Sequence, residues 1–441
     1  MSSHAVTGHE RPFSLDELFF STTDPKGVIR SGNEVFARVS AIPLEDMVGK
    51  AHNVVRHPDM PRAVFRTFWE ALHAGRGVAA YVKNRSADGG FYWVMAFVVP
   101  IADGYLSVRL KPTSPLFAVA QEIYREVARV EREVEGGDVR RRKPSIAAGV
   151  EKLEALLAEH GFSSYRAFMH AALMAEVTAR AAALGTAGET DAIVRDAEAA
   201  LDRLVADLER YGELATALGE KSAFVLDLAE EIRLFALNAV LSSARLGEEG
   251  AALGAVAEIL GRRSDEAEPP IRALKTDLDA ALELLGAMGF RIAASKLMTE
   301  MVGAFLADLR ATGAEPASLA GELTALADGL ADGGERLAVS ITDFSTRLEA
   351  VESGVRVVDS HLRVVRALEV NGRVEGARLH DEAIIDLFGT IAHQVADARE
   401  QLKTFAALRD ATHAKDARAD AAAVRSSVTG AAEHVLALAR A

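Results

Sequence analysis

From Leu201 onward, apolar and small residues recur at alternating steps of three and four: Leu204, Leu208, Tyr211, Ala215, Leu218, Ser222, Val225, Ala229, Ile232, Ala236, Ala239, Ser243 and Leu246. A second seam of this kind runs through Leu337, Ile341, Phe344, Leu348, Val351, Val355, Val358, Leu362 and Val365. A repeat averaging 3.5 residues puts one stripe on an α-helix and winds helices into a left-handed bundle. The first seam thins to small residues and ends where two glycines bracket Glu248-Glu249. A similar stretch returns downstream: Asn238, Ala244, Arg245 and Leu246 are matched by Asn371, Ala377, Arg378 and Leu379. Asparagine and arginine are seven apart in both copies, two helical turns, so they share a face in each.

Between these two tips lies a break, Thr312-Gly-Ala-Glu-Pro-Ala-Ser318, with Pro316 suited to a helix start. It stands about 65 residues from either tip, and the outer arms are of similar length. The spacing predicts two tandem hairpins, 188–312 and 316–440, folded into one long antiparallel four-helix bundle roughly 85–100 Å in length. Asn238, Arg245 and Glu248, with Asn371, Glu375 and Arg378, are then expected to lock the tips together by hydrogen bonds and ion pairs. The plainer alternative is a helical rod in which these polar residues only set register. Pro269-Pro270 and Gly333-Gly334 predict a kink or local break in the inner arms.

Residues 13–115 follow a different pattern. Strand-like runs at 19–23, 27–30, 79–85, 91–101 and 105–110 are dense in aromatic residues, and Asp88-Gly89-Gly90 and Asp103-Gly104 mark turns between the last three. The stretch 34–72 is helical in pattern, interrupted by Pro43, Pro58 and Pro61. The expectation is an α+β domain: a five-stranded antiparallel sheet with helices on one face, enclosing a pocket of ligand size. Residues 116–187 form a helical connector. It has an amphipathic helix over 116–135, a linker from Gly136 to Ser145, and two helical segments split at Gly161, where Ser163 or Ser164 can cap the second.

Length and charge narrow the function classes. A net charge of −14 over 441 residues argues against a general nucleic-acid binder, and the basic run Arg140-Arg-Arg-Lys143 is expected to be solvated. The absence of cysteine excludes disulfides and thiol chemistry and fits a cytoplasmic protein. The longest apolar run, residues 91–102, is about half of the ~20 residues needed to span a membrane, so no spanning helix is expected. No nucleotide-loop, zinc-protease or nucleophile-elbow pattern occurs, so no catalytic residues and no metal ligands are assigned and the chain is expected not to be an enzyme. A flavoenzyme is the lower-ranked alternative.

Ser21-Thr-Thr-Asp24, Gly27 and Asn33-x-x-Phe36 resemble the opening of a PAS domain. Asn53-Val-Val-Arg-His-Pro-Asp-Met-Pro61, Val82-Lys-Asn-Arg85 and Gly90-x-Tyr92-Trp93-Val94 resemble the PAS domain of bacterial aerotaxis receptors. That resemblance implies a non-covalently held FAD whose redox state is the signal, with Arg56, His57 and Asp59 around it and Asn33, Asn84 and Trp93 as further wall positions. Where the family has a tryptophan shortly before Lys-Asn-Arg, this chain has Ala79. Haem on a histidine, with His52, His57 and His73 as candidates, or no cofactor at all, stand as alternatives. So does the reading in which Arg56-His57-Pro-Asp59 makes only a salt-bridged turn.

Leu237-Asn-Ala, Ala244-Arg245-x-Gly247-Glu248-x-Gly250 and Val256-Ala257-Glu258 resemble the signalling tip of methyl-accepting chemotaxis proteins, altered at Glu231-Ile232-Arg233 and Ser242. The resemblance implies a bundle whose tip meets a chemotaxis histidine kinase and its adaptor, or other chemoreceptor-like proteins. The bundle would be monomeric or self-associating further. Together these patterns imply a soluble sensory transducer of the aerotaxis or energy-taxis type. A structural or adaptor protein that joins receptor arrays or a cell pole without engaging the kinase is the alternative.

Overall fold

The computed structural model describes residues 8–185, 192–411 and 417–440. Its N-terminal part contains β1 (Phe19–Thr23), β2 (Ile29–Gly32), α1 (Glu34–Ser40), α2 (Leu44–Met47), a 3-10 turn (His52–Val55) and α3 (Arg62–His73). β3 (Val78–Arg85), β4 (Phe91–Ile101) and β5 (Gly104–Leu110) follow as a meander. The sheet order is β2-β1-β5-β4-β3, with every neighbouring pair antiparallel. Each turn is made by the residues that signalled it. The Asp88 carboxylate accepts from the Ser86 hydroxyl and the Gly90 amide. Gly104 has a positive φ, and a Cβ there would overlap the Thr23 carbonyl oxygen.

Strand alternation separates the two faces of the sheet. Pairing of Ala80 with Ala96, Ala96 with Arg109 and Ser21 with Ser107 puts these residues on the face covered by α1, the 3-10 turn and α3. Tyr81, Trp93, Met95, Phe97, Leu106 and Phe20 take the opposite face, which is also covered. Phe117 lies 5.4 Å from both Tyr81 and Trp93, Phe290 lies 5.8 Å from Phe97, and Phe305 lies 5.5 Å from Phe20.

The connector packs on the sheet and α3. It consists of α4 (Pro115–Glu135), a 3-10 turn, α5 (Arg142–Glu159) and α6 (Tyr165–Leu184). Ser164 caps α6 through its side-chain oxygen, but the starts of α3 and α4 lack a cap of their own. Buried glutamates from distant helices supply those caps. Glu131 of α4 accepts from the amides of Arg62 (2.8 Å) and Ala63 (2.7 Å) at the start of α3. Glu176 of α6 accepts from Thr113 N (2.6 Å), Ser114 N (3.0 Å), Ser114 Oγ (2.7 Å) and the Tyr81 hydroxyl (2.7 Å). A carboxylate at a helix N-terminus meets both the free N–H groups and the positive end of the dipole. The expected 136–145 linker is therefore short: a glycine turn, then helix from Arg142. Its basic residues are exposed, and Arg140 and Arg142 pair with Asp138 and Glu135.

The remaining chain is helical: α7 (Arg195–Arg245), α8 (Ala251–Thr312), α9 (Ala320–Leu379), α10 (Glu382–Ala411) and α11 (Ala417–Arg440). Two compact units result. One comprises residues 1–205, 286–339 and 420–441, so the sheet domain and connector share it with one end of the long helices; the other comprises 206–285 and 340–419. In the second unit, Arg233 pairs with Asp265, Arg347 with Asp277 (2.6 Å) and Arg399 with Asp359 (2.8 Å), while Gln394 donates to Glu231. These contacts join α7 to α8, α8 to α9, α9 to α10 and α10 back to α7.

Of the first seam, Leu201, Leu204, Ala236, Ala239 and Ser243 are buried and Leu246 is half-buried. Leu208, Tyr211, Ala215, Leu218, Ser222, Val225, Ala229 and Ile232 lie outside the residues whose side chains are described, as does the expected domain boundary near 188. The second seam is buried throughout except for half-buried Val355. α8 and α9 run unbroken through Pro269-Pro270 and Gly333-Gly334, against the expectation of a local break there. Two prolines cost one helix two backbone donors, and the long flanking turns hold the rest. Gly334 serves close packing: a Cβ there would lie 2.6 Å from Val428 Cγ1.

Candidate functional site

A cavity of about 370 Å³ opens between the inner face of the sheet and α3 with the 3-10 turn. Its aromatic walls are Phe65, Phe68 and Trp69 from α3 and Tyr105 from β5. Three cations line it, Lys26, Arg56 and Arg109, together with His52 and the amides of Asn53 and Asn84, and among the described residues no acidic side chain does. In a chain of net charge −14 that is a local reversal of sign.

Arg109 is only 3% exposed and forms no ion pair with a described residue. Its Nη2 donates to His52 Nε2 (2.6 Å) and to Ser21 Oγ (3.0 Å), while Nη1 has no partner. The guanidinium lies over Phe36 (5.1 Å) and Phe19 (5.7 Å). Burial lowers its pKa to about 10, still cationic at neutral pH. The bond from Arg109 requires a neutral His52 with its proton on Nδ1, and burial reinforced by Arg109 pushes its pKa down to about 3. The Ser107 hydroxyl at the same wall also lacks a partner. Arg56 is half-buried, stacked 3.9 Å over the Phe65 ring and donating to the Met60 carbonyl (3.2 Å), and burial lowers its pKa to about 10.

Of the six residues expected around a cofactor, Arg56 and Asn84 line this cavity and the other four do not. Asn33 spends its side chain locally: Oδ1 accepts from Phe20 N and Phe36 N, and Nδ2 donates to Leu18 O, tying β1 to the start of α1. Buried His57 accepts from Asp59 N at Nδ1 (3.1 Å), and Asp59 pairs with Lys83 (2.7 Å), so both belong to a turn-fixing set. Trp93 falls on the far face of the sheet against Phe117. Ala79, paired with Phe97, also falls there, so its small side chain does not open the cavity wall. Motif reading missed Arg109 and placed His52 only among three candidate haem ligands. The sequence signal for Arg109 was the phase of β5, which turns it inward beside Ser107 and Tyr105.

The donor set suits a planar ligand with acceptor atoms and negative charge, as a flavin nucleotide is, and the volume lies within the range of ligand sites. Haem fits less well. Among the described residues His52 is the one imidazole on the cavity wall, and its Nε2 is occupied by Arg109. No cluster of three or more metal-ligating side chains occurs among the described residues.

At the hairpin turns, Gly247 (φ 62°) ends the first long helix and His380 (φ 53°) the third. Asp381 then caps α10 by accepting from Ile384 N (3.2 Å). Arg378 bridges the two turns, donating to the Glu249 carbonyl (2.9 Å) and pairing with Glu375 (2.7 Å). The expected mutual lock reduces to that contact. Asn238, Arg245, Glu248 and Asn371 are exposed, with no side-chain hydrogen bond to a described residue. Seven-residue spacing aligned them on one face, but small residues such as Ala236, Ala239 and Gly372 took the packed positions.

Residues 30–107 match the family model of the PAS fold. Over 131 residues the chain is 39% identical to the aerotaxis receptor of Escherichia coli (strain K12). That match covers 28% of this chain and 26% of the receptor, so the chain spans about a quarter of the length of this curated relative. Among the described residues no helix is long and apolar enough to cross a membrane. The chain thus joins an N-terminal PAS domain, with likeness to an aerotaxis receptor, to a long all-helical region.

Proposed function

We propose that this protein is a soluble, cytoplasmic, non-enzymatic sensory transducer of the aerotaxis or energy-taxis type. Its PAS cavity holds FAD, and its helical region passes the ligand's state to a partner at the hairpin turns. The observation that carries this reading is the two-sided use of one sheet. Ala96, Ser107 and Arg109 border the cavity, while neighbouring positions Phe97, Leu106 and Phe20 pack on Phe290, Gly329 and Phe305 of the long helices. A ligand that shifts the sheet therefore biases helix packing with no intervening linker.

In this reading Arg109, Asn84 and Arg56 hold the flavin, and Trp69, Phe65 and Phe68 exclude water from its ring. Bound flavin would supply a centre whose charge depends on its redox state. The helical arms are read as two tandem hairpins, 188–312 and 316–440, forming one bundle, supported by the contacts that link α7, α8, α9 and α10 in sequence. Exposed Asn238, Arg245, Glu248 and Asn371, with the Glu375–Arg378 pair, form the partner-facing tip.

The absorption spectrum of the purified full chain tests the cofactor: the bands of an oxidised flavin are expected, and a Soret band or a featureless spectrum overturns it. Co-purification with a chemotaxis kinase and adaptor tests the output. Association with receptor-like proteins but not with the kinase would favour the adaptor role.

A further inference from the structure

α6 runs parallel to α8. His170 stacks on Phe290 at 4.3 Å and Arg180 pairs with Glu300 at 2.9 Å, an offset of 120 residues in both contacts (290 − 170, 300 − 180). The same helix is fastened to the sheet. Buried Glu176 accepts from the Tyr81 hydroxyl of β3 at 2.7 Å. Tyr81 sits next to Val82, which with Asn84 lines the cavity from the other face of that strand. α6 is therefore bonded both to a strand of the cavity wall and to a long helix.

Arg180 adds a third attachment. Its side chain is 5% exposed, and while Nε meets Glu300, Nη1 donates to the Leu15 carbonyl and Nη2 to the Asp16 carbonyl (2.9 Å). Leu15 and Asp16 lead into β1, whose Ser21 accepts from Arg109 and whose Thr23 lines the cavity. Glu176 and Arg180 stand one turn apart on one face of α6, yet both direct hydrogen bonds to other elements. Apolar contacts such as Phe97 on Phe290 are non-directional and survive a small slip. A guanidinium fork on three acceptors does not, because a shift of about 1 Å takes its N–H groups out of hydrogen-bonding range.

We infer that α6 is the link that keeps cavity wall and long helix in register: Glu176 takes up a displacement of β3, and Arg180 passes it to α8 and to the lead into β1 as one shear. The inference rests on the reading that the state of the cavity is passed to the helical region, and it adds the element that carries the motion. Arg180 does not line the cavity, so it is a positioning residue. Its effect lies in the coupling of sheet to helix, beyond its contribution to either alone.

The test is hydrogen–deuterium exchange of the full chain, read by mass spectrometry over residues 293–306 of α8 in a double-mutant cycle. Val82→Phe enlarges a side chain of the cavity wall and pushes on β3 without any ligand, so the result does not depend on which cofactor is bound. With Arg180 present it is expected to change exchange in α8 by about 5- to 10-fold. In an Arg180→Gln background the same change is expected to fall below about 2-fold. Arg180→Lys, which keeps the charge opposite Glu300 but loses the fork, is expected to give an intermediate response. Glu300→Gln weakens only the arm to α8 and is expected to uncouple α8 as well, which carries the test if Arg180→Gln folds poorly. A purely structural Arg180 shifts exchange by one factor whether or not Val82 is changed, and only a coupling residue alters the response to Val82→Phe.

An α8 that responds equally to Val82→Phe with and without Arg180→Gln or Glu300→Gln overturns the inference. The transducer reading then stands, with the motion carried directly by Phe97 and Phe290. An α8 that does not respond to Val82→Phe in the otherwise wild-type chain overturns both.

Discussion

Replacing Glu176 puts the coupling between connector and sheet to a quantitative test. This carboxylate is fully buried and accepts from Thr113 N, Ser114 N, Ser114 Oγ and the Tyr81 hydroxyl, all at 2.6–3.0 Å. Glu176→Ala leaves the buried Ser114 amide without an acceptor and the Tyr81 and Ser114 hydroxyls with only each other (3.2 Å), and it removes the cap of α4. Hydrogen bonds to a charged group are worth about 1.5–3 kcal/mol each but do not add when they share one acceptor. A total loss of about 3–5 kcal/mol is expected. Glu176→Gln is the sharper variant. It keeps an oxygen for the two hydroxyls but turns an NH2 group on the amides of Thr113 and Ser114, at a cost of about 2 kcal/mol.

The chain has two tryptophans, and both lie in the PAS domain. Trp93 packs on Phe117 of α4, so its fluorescence reports the docking that Glu176 secures. In urea, with a slope of about 2 kcal/mol per molar, Glu176→Ala is expected to lower the midpoint of that signal by about 1.5–2.5 M. A midpoint within about 0.5 M of wild type for Glu176→Ala, or no change at all for Glu176→Gln, refutes the idea that this carboxylate holds α4 to the sheet.

Gly104→Ala is expected to cost at least about 3 kcal/mol, because the new methyl overlaps the Thr23 carbonyl where β1 pairs with β5; the yield of folded protein and its urea midpoint measure it. Gly372→Ala drives a methyl into the Phe388 ring and should cost about 1–3 kcal/mol in thermal unfolding followed by circular dichroism, whereas Gly389→Ala, with open space at its Cβ, should stabilise by about 0.5–1 kcal/mol. His52, held neutral with its pKa lowered to about 3, makes folding release a proton below pH 6.5. Stability is therefore fully present above pH 6.5 and falls towards pH 3 by up to about 1.4 kcal/mol per unit, and His52→Gln should flatten that part of a pH–midpoint curve. Arg378→Met should change stability by less than about 1 kcal/mol, since its contacts at the turn are exposed; a larger drop in the unfolding midpoint would show that the two tips are locked after all.

Periodicity alone settled the broad division of this chain. Heptads from Leu201 and from Leu337 can bury a stripe only as helices, and Asp88-Gly89-Gly90 and Asp103-Gly104 could only turn, because these effects act within a few residues. Arg56 and Asn84 were also legible as cavity residues, carried by the strings around them. Tertiary structure decided what depended on distant partners. Trp93 went to the far face because pairing with Lys83 fixed its phase in the sheet, and a string of matched letters carries no phase. Glu131 and Glu176 gave no local signal, since the amides they cap lie 62 to 69 positions away. Arg109 looked like any charged residue of a strand until folding closed β1, the 3-10 turn and α1 around it. Burial and long-range hydrogen bonding are properties of the closed chain, so the chemistry of the cavity emerges only with the fold.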